Sequence, residues 1–280
     1  MSGEAAATTP TSYVQHHLTH WTVGEGFWAL HIDTLLFSWL TGILMLLILR
    51  AGAKRATAGV PGTMQNLVET LVDWADNSVK ESFHGPRGFI GPMALTIFIW
   101  VLFWNFLDIV PVDWVPSFAM WVGGQLGYDP HHVYMRIVPS ADMNATFGLS
   151  ISILLLIIYY SFKGKGAGGF AKELLTHPFG SNPFLIIPNI VLNIVELLAK
   201  PISLALRLFG NLYAAELIFM LIALLAATAT GFDAASFGGF IGAIVMGLAW
   251  TLFHLLVIPL QAFIFMTLAI VYLSMAYENH

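Results

Sequence analysis

The chain has 280 residues, of which 58% are hydrophobic and only 10% charged; this excludes a water-soluble domain and describes a polytopic membrane protein. The net charge of −5 comes without any basic tract, which argues against nucleic acid as a partner. Cysteine is absent, so neither a disulfide framework nor a thiolate-ligated metal site can form.

Residues 1–31 read as a polar N-terminal tail without a single Lys or Arg, and lack the basic start of a secretory leader. Residues 32–280 read as one membrane domain. Its first span is predicted at 32–49 and stopped by Arg50, Lys54 and Arg55. After the turn Gly59-Val60-Pro61-Gly62, Leu67, Val68, Leu71, Val72, Ala75, Val79 and Phe83 recur at helical spacing between acidic and basic residues, predicting an amphipathic helix at the membrane surface. A second span is predicted at 93–110, ending in Asp108 and Asp113, and the loop after it is rich in Trp, Gly and Pro. A third is predicted at 143–162, with Asp142 and Asn144 at its start. Lys163–Gly169 reads as a basic, Gly-rich turn; it lacks GxxxxGK[ST], so no nucleotide site is expected.

Two stretches, 184–227 and 240–276, exceed what an upright helix needs. Forty-four helical residues extend about 66 Å at 1.5 Å each, against a hydrocarbon core about 30 Å thick. Either the helices tilt strongly, or the first breaks into a hairpin near Pro201 or Gly210. Gly238 and Gly242, four apart, suggest close packing near the turn between the two. Lys and Arg are missing from the tail, frequent in the first and third loops, and represented in the second by Arg136 alone. The positive-inside rule then puts the N-terminus outside and the C-terminus in the cytoplasm.

The stretch 184–227 carries Glu196, Lys200, Arg207 and Glu216 among apolar neighbours. A charge at the centre of a membrane helix costs about 2.5–3.5 kcal/mol on insertion scales, and such groups mark ion paths or partners. At 100° per residue, Asn189, Asn193, Glu196, Lys200, Ser203 and Asn211 fall within about 40° of Arg207. Glu216 falls on the opposite face and is assigned to a separate aqueous pocket. His254 and Gln261 share a face of the last helix; antiparallel pairing sets Glu216 level with His254, and Arg207 level with Gln261. The groups sort into an outer cluster (Asp108, Asp113, Asp142, Asn144, Glu216, His254) and an inner one (Asn193, Glu196, Lys200, Ser203), with Arg207 between them. Buried Glu and His relay protons near neutral pH, whereas Arg does not deprotonate and interrupts a proton wire. Two rivals to an ion pathway are weighed. A proton-coupled secondary transporter calls for internal repeats, and none is found. A haem-bearing anchor calls for paired histidines within spans, whereas His16, His17, His20, His31, His131, His132, His177 and His280 lie outside or at edges and only His254 is deep.

PISLALRLFGNLYAAELI (201–218) and LQAFIFMTLAIVYLSMA (260–276), with GVPG, DIVPVD, PSAD and GGFAKEL, resemble subunit a of the bacterial F-type ATP synthase over nearly the whole chain. The resemblance implies an all-α, five-helix membrane protein of the bacterial inner membrane, working beside a ring of c subunits, with the b-subunit stalk, the F1 sector and lipid as further partners. It implies two proton half-channels, no catalysis in this chain, and no cofactor or metal. Arg207 matches the essential arginine facing the ring carboxylate. Glu216 and His254 match inlet residues, Asn211 and Gln261 positions near the arginine, and Asp108 and Asp142 the outer mouth. Relatives often carry a glutamate where this chain has Asn193; Glu196, one turn along on the same face, is expected to take the outlet role.

Overall fold

Among the described residues five helices are long and apolar enough to cross a membrane. The computed structural model describes residues 10–54, 56–57, 59–129, 133–227 and 234–278. Residues 1–9 of the tail, Arg55 of the first basic group, and His131, His132 and His280 lie outside them. The fold is all-α. In chain order the helices are α1 (Pro10–Leu18), α2 (Ile32–Lys54), α3 (Thr63–Ser82), α4 (Ile90–Phe106), α5 (Trp114–Gln125), α6 (Met143–Thr176), α7 (Ile186–Ala227) and α8 (Ala234–Tyr277). A two-residue hairpin, β1 (Thr22–Val23) with β2 (Leu30–His31), pairs Thr22 with His31 between α1 and α2.

Several elements differ from the sequence expectation. The basic, Gly-rich stretch after the third span breaks the helix where expected but narrowly: two helical segments meet at Gly166, whose φ of 70° and ψ of 164° are not helical, and the second runs on to Thr176. Such a φ is open to glycine and costly for other residues. The loop after the second span holds α5, whose aromatic residues Trp114, Phe118 and Trp121 are exposed. No hairpin forms at Pro201 or Gly210; α7 is one helix of 42 residues with Pro201 inside it. A Cβ on Gly238 would meet nothing within 4 Å, so this glycine provides no close approach.

The chain divides into two compact units. The first comprises Met1–Thr41, Phe103–Asp142 and Gly210–Pro259. In its core Leu212, Ala215, Met220 and Ile258 are buried, and the Asn105 amide donates to the Ile258 carbonyl at 3.4 Å. The second comprises Gly42–Leu102, Met143–Phe209 and Leu260–His280. Here Ala262, Met266, Ala269, Ile270 and Leu273 recur at helical spacing and are fully enclosed. Trp74 packs on Phe98 and Phe263, and Phe83, Tyr160 and Tyr277 form an aromatic cluster. α3 buries Gln65, Val68, Ala75 and Val79, and a Cβ on Gly52 would stand 2.5 Å from a Val68 methyl, so α2 and α3 meet closely at this glycine. Several Ser and Thr inside the spans donate back to their own helix, as Thr41 does to Phe37 and Ser161 to Ile157.

A Cβ at Gly164 would collide with the backbone carbonyl of Tyr277, where the end of α8 rests on α6. Replacing Gly164 by Ala is expected to cost about 1–3 kcal/mol through overpacking and to lower the thermal unfolding midpoint in detergent. Gly148→Ala, on the same helix with nothing within 4 Å, should hold or raise it.

Candidate functional site

In the first unit the hairpin sets His20 and His31 face to face, with ring centroids 4.1 Å apart and planes 12° from parallel. Asp33, at the start of α2 and wholly buried, accepts from the backbone N–H groups of Thr34 (2.8 Å), Trp21 (3.1 Å) and Arg136 (3.1 Å), and lies 3.3 Å from His20 Nδ1. One carboxylate thus ties together the tail, α2 and the segment before α6. Asp142 is buried too; the Thr34 hydroxyl donates to it at 2.7 Å and His31 Nδ1 lies at 2.6 Å.

Arg136 is the hub of this cluster. Its guanidinium donates to His20 Nε2 at 2.9 Å, to the Ala141 carbonyl at 3.3 Å, and to the Glu216 carboxylate. Arg136 and Glu216 are both buried, so each offsets the desolvation of the other. Asp108, also buried, has His254 Nε2 at 2.7 Å, and the His254 ring packs edge-on against Phe219. Beside Asp108, Arg136 and Glu216 a cavity of about 20 Å3 opens, lined also by His17, Val112 and Pro116. That is room for about one water molecule. Asp33, Asp108, Asp142 and Glu216 bring four buried carboxyls to this unit, and Arg136 is the permanent cation among their partners.

His20, His31 and Asp142 have ligand atoms within 4.8 Å of one another. The spacing alone suggests a metal, but the neighbours oppose it: Arg136 donates to His20 Nε2, so a metal on Nδ1 would leave an N–H facing a guanidinium.

In the second unit a cavity of about 490 Å3 is lined by Ser161, Lys165, Glu173, His177, Asn193, Glu196, Lys200 and Tyr272, among others. Lys165 Nζ lies 2.6 Å from both oxygens of Glu173, and Lys200 lies 2.8 Å from Glu196. The Glu196 side chain is 61% exposed. Asn193 has a different occupation: its amide donates to the carbonyls of Leu174, His177 and Asn189, and Asn189 in turn holds Phe179, Leu175 and Gly180. These two members of the polar stripe fasten the chain between α6 and α7.

Arg207 is half-buried on α7 and donates to the Ser203 hydroxyl at 3.5 Å. Among the described residues no carboxylate pairs with it. Asn211 is exposed, as is the open face at Gly210; Gln261 is buried on α8, and Asn144 is exposed in the first turn of α6. The sequence reading set Glu216 beside His254; the ion pairs observed are Glu216 with Arg136 and His254 with Asp108. It missed Arg136, His20, His31 and Asp33 as site residues. The available signal was Arg136 itself, a lone cation in a loop otherwise bare of Lys and Arg.

The model of a family described as ATP synthase A chain matches residues 35–274. Curated relatives include ATP synthase subunit a of Idiomarina loihiensis, 54% identical, and of Shewanella amazonensis, 54%, and Shewanella denitrificans, 53%. In each pair the alignment covers 100% of both chains.

Asp33→Asn leaves one accepting oxygen where three backbone N–H groups converge. A loss of about 3–5 kcal/mol, the usual cost of breaking a buried charged contact, is expected in detergent unfolding.

Proposed function

The chain belongs to the ATP synthase A chain family, and on that premise we propose that it carries protons to and from a ring of c subunits in the Fo sector of a bacterial ATP synthase. The observation that carries this reading is Arg207. An intramembrane cation paired with no carboxylate among the described residues of its own chain, on a half-exposed helix face, calls for an acid brought by another chain. In this role Arg207 meets the ring carboxylate after deprotonation and keeps the two half-paths from joining, because a guanidinium does not pass a proton on.

The inlet uses the first unit. Asp108 with His254, and Glu216 with Arg136, hand protons inward around the small cavity, with Asp142 and Asn144 toward the outer mouth and Asn211 and Gln261 near the arginine. The outlet uses the large cavity of the second unit, where Glu196 takes the proton with Ser203 nearby. The pairing of Asn193 with three carbonyls supports Glu196 over Asn193 for this step, because a carboxyl titrates and a committed amide does not. The N-terminus lies outside and the C-terminus in the cytoplasm, in the inner membrane. α3 lies along the surface. α7 and α8, with 42 and 44 residues, extend about 63 and 66 Å and lie strongly tilted in a core about 30 Å thick. The b-subunit stalk and F1 complete the assembly, and the chemistry of ATP belongs to those other chains.

Arg207→Ala is expected to abolish proton-driven ATP synthesis in inverted vesicles while ATP hydrolysis by the soluble sector continues; retained synthesis in the variant would contradict the reading. Glu196→Gln should slow proton release about tenfold without loss of stability. Asn193→Ala should instead cost about 1 kcal/mol of stability, the net worth of the lost hydrogen bonds to part-buried and exposed carbonyls, with less effect on flux per folded complex.

A further inference from the structure

α1 and the residues that hold it play no part in the path described so far. Asp113, at the start of α5, keeps its side chain 53% exposed, while the His17 side chain is 8% exposed. His17 Nε2 lies 3.1 Å from Asp113 Oδ1, and the Tyr13 hydroxyl donates to the same oxygen at 2.8 Å. His17 Nδ1 donates to the Tyr13 carbonyl at 3.0 Å, which assigns the titrating position to Nε2. The His17 ring also lines the cavity shared by Asp108, Arg136 and Glu216. One residue therefore contacts a surface carboxylate and also lines the cavity of the buried cluster.

We propose that His17 is the entry relay of the inlet: it takes a proton at Nε2 from Asp113 and passes it to a water in the cavity, and so toward Glu216. The step is a pure proton transfer. Asp113 loses the proton that His17 gains, and His17 returns to neutral when the ring releases it inward. The groups facing His17 are Tyr13 and His16 on its own helix, Asp113 on α5, and Asp108, Arg136 and Glu216 around the cavity.

The local electrostatics agree. The hydrogen bond from His17 holds the Asp113 carboxyl below the usual carboxylate range, against burial and with help from Tyr13. Burial works against a charged His17, but the bond to Asp113, the Tyr13 carbonyl, and the charges of Asp113 and Glu216 lift the ring above its ordinary value. Burial and Asp113 also push the Tyr13 hydroxyl up, so it stays a donor. The contribution of the raised His17 is complete below the ordinary histidine value and is lost as pH rises through the raised one. That of Asp113 is complete above the ordinary carboxylate value and is lost as pH falls through the depressed one. The pair is thus intact from mildly acid to neutral pH, where a proton collector has to work.

This inference rests on the proton-carrying reading, and the test separates the two. Proton uptake from the outer side is measured in vesicles holding the whole complex. His17→Gln, which keeps polar contacts but does not titrate, should cut uptake about tenfold at unchanged thermal stability, and His17→Ala should regain flux when imidazole is added outside. Asp113→Asn should move the alkaline limb of the pH profile to lower pH, because it removes the bond that keeps the proton on His17. If His17→Gln carries protons like the unmodified complex, or imidazole fails to restore His17→Ala, His17 only fastens α1 and the inference falls. If the unmodified complex moves no protons at all, the parent reading falls instead.

Discussion

A titratable side chain in an apolar helix bundle must find a polar partner nearby, and the described residues follow that constraint closely. Glu216 has Arg136, Asp108 has His254, Asp142 has His31, and Glu196 has Lys200. Each pair joins segments far apart in sequence or adjacent turns of one helix, so the pairs also register the helices. Among the described residues Arg207 is the intramembrane guanidinium outside this pattern. Under the proposed function, this is where the acid of a partner chain completes the site.

The two units carry different polar chemistry. The first holds carboxyls and imidazoles in a tight network with one small cavity, suited to passing a proton from group to group. The second holds lysine–glutamate pairs around a roomier cavity, with the Glu196 carboxylate exposed. Under the proposed function, entry by relay uses the first set of surroundings and exit through water the second.

The membrane spans were legible because long apolar runs have few alternatives in a chain this greasy. What escaped was set by geometry that periodicity does not encode. The glycines after Phe162 mark a helix break, which the structure narrows to Gly166; the second helical segment, running on to Thr176, is what the glycines concealed. A helical wheel placed Asn189 and Asn193 with Arg207, but their amides turn to free carbonyls at the end of α6, which no pattern on α7 reveals. Glu216 was recognised by its residue type and motif; its partner Arg136 lies 80 positions away in a loop. His20 and His31 read as edge residues because the two-residue hairpin that stacks them is too short to announce itself.

The most direct test of the account exploits the absence of native cysteine. A cysteine placed at Gly210, on the open face next to Arg207, is paired with one beside the carboxylate of a c subunit, and disulfide formation is followed in the assembled complex. The account predicts rapid crosslinking that locks rotation and is reversed by reductant. Absence of that crosslink, with efficient crosslinking from the exposed face of α2 instead, would contradict it.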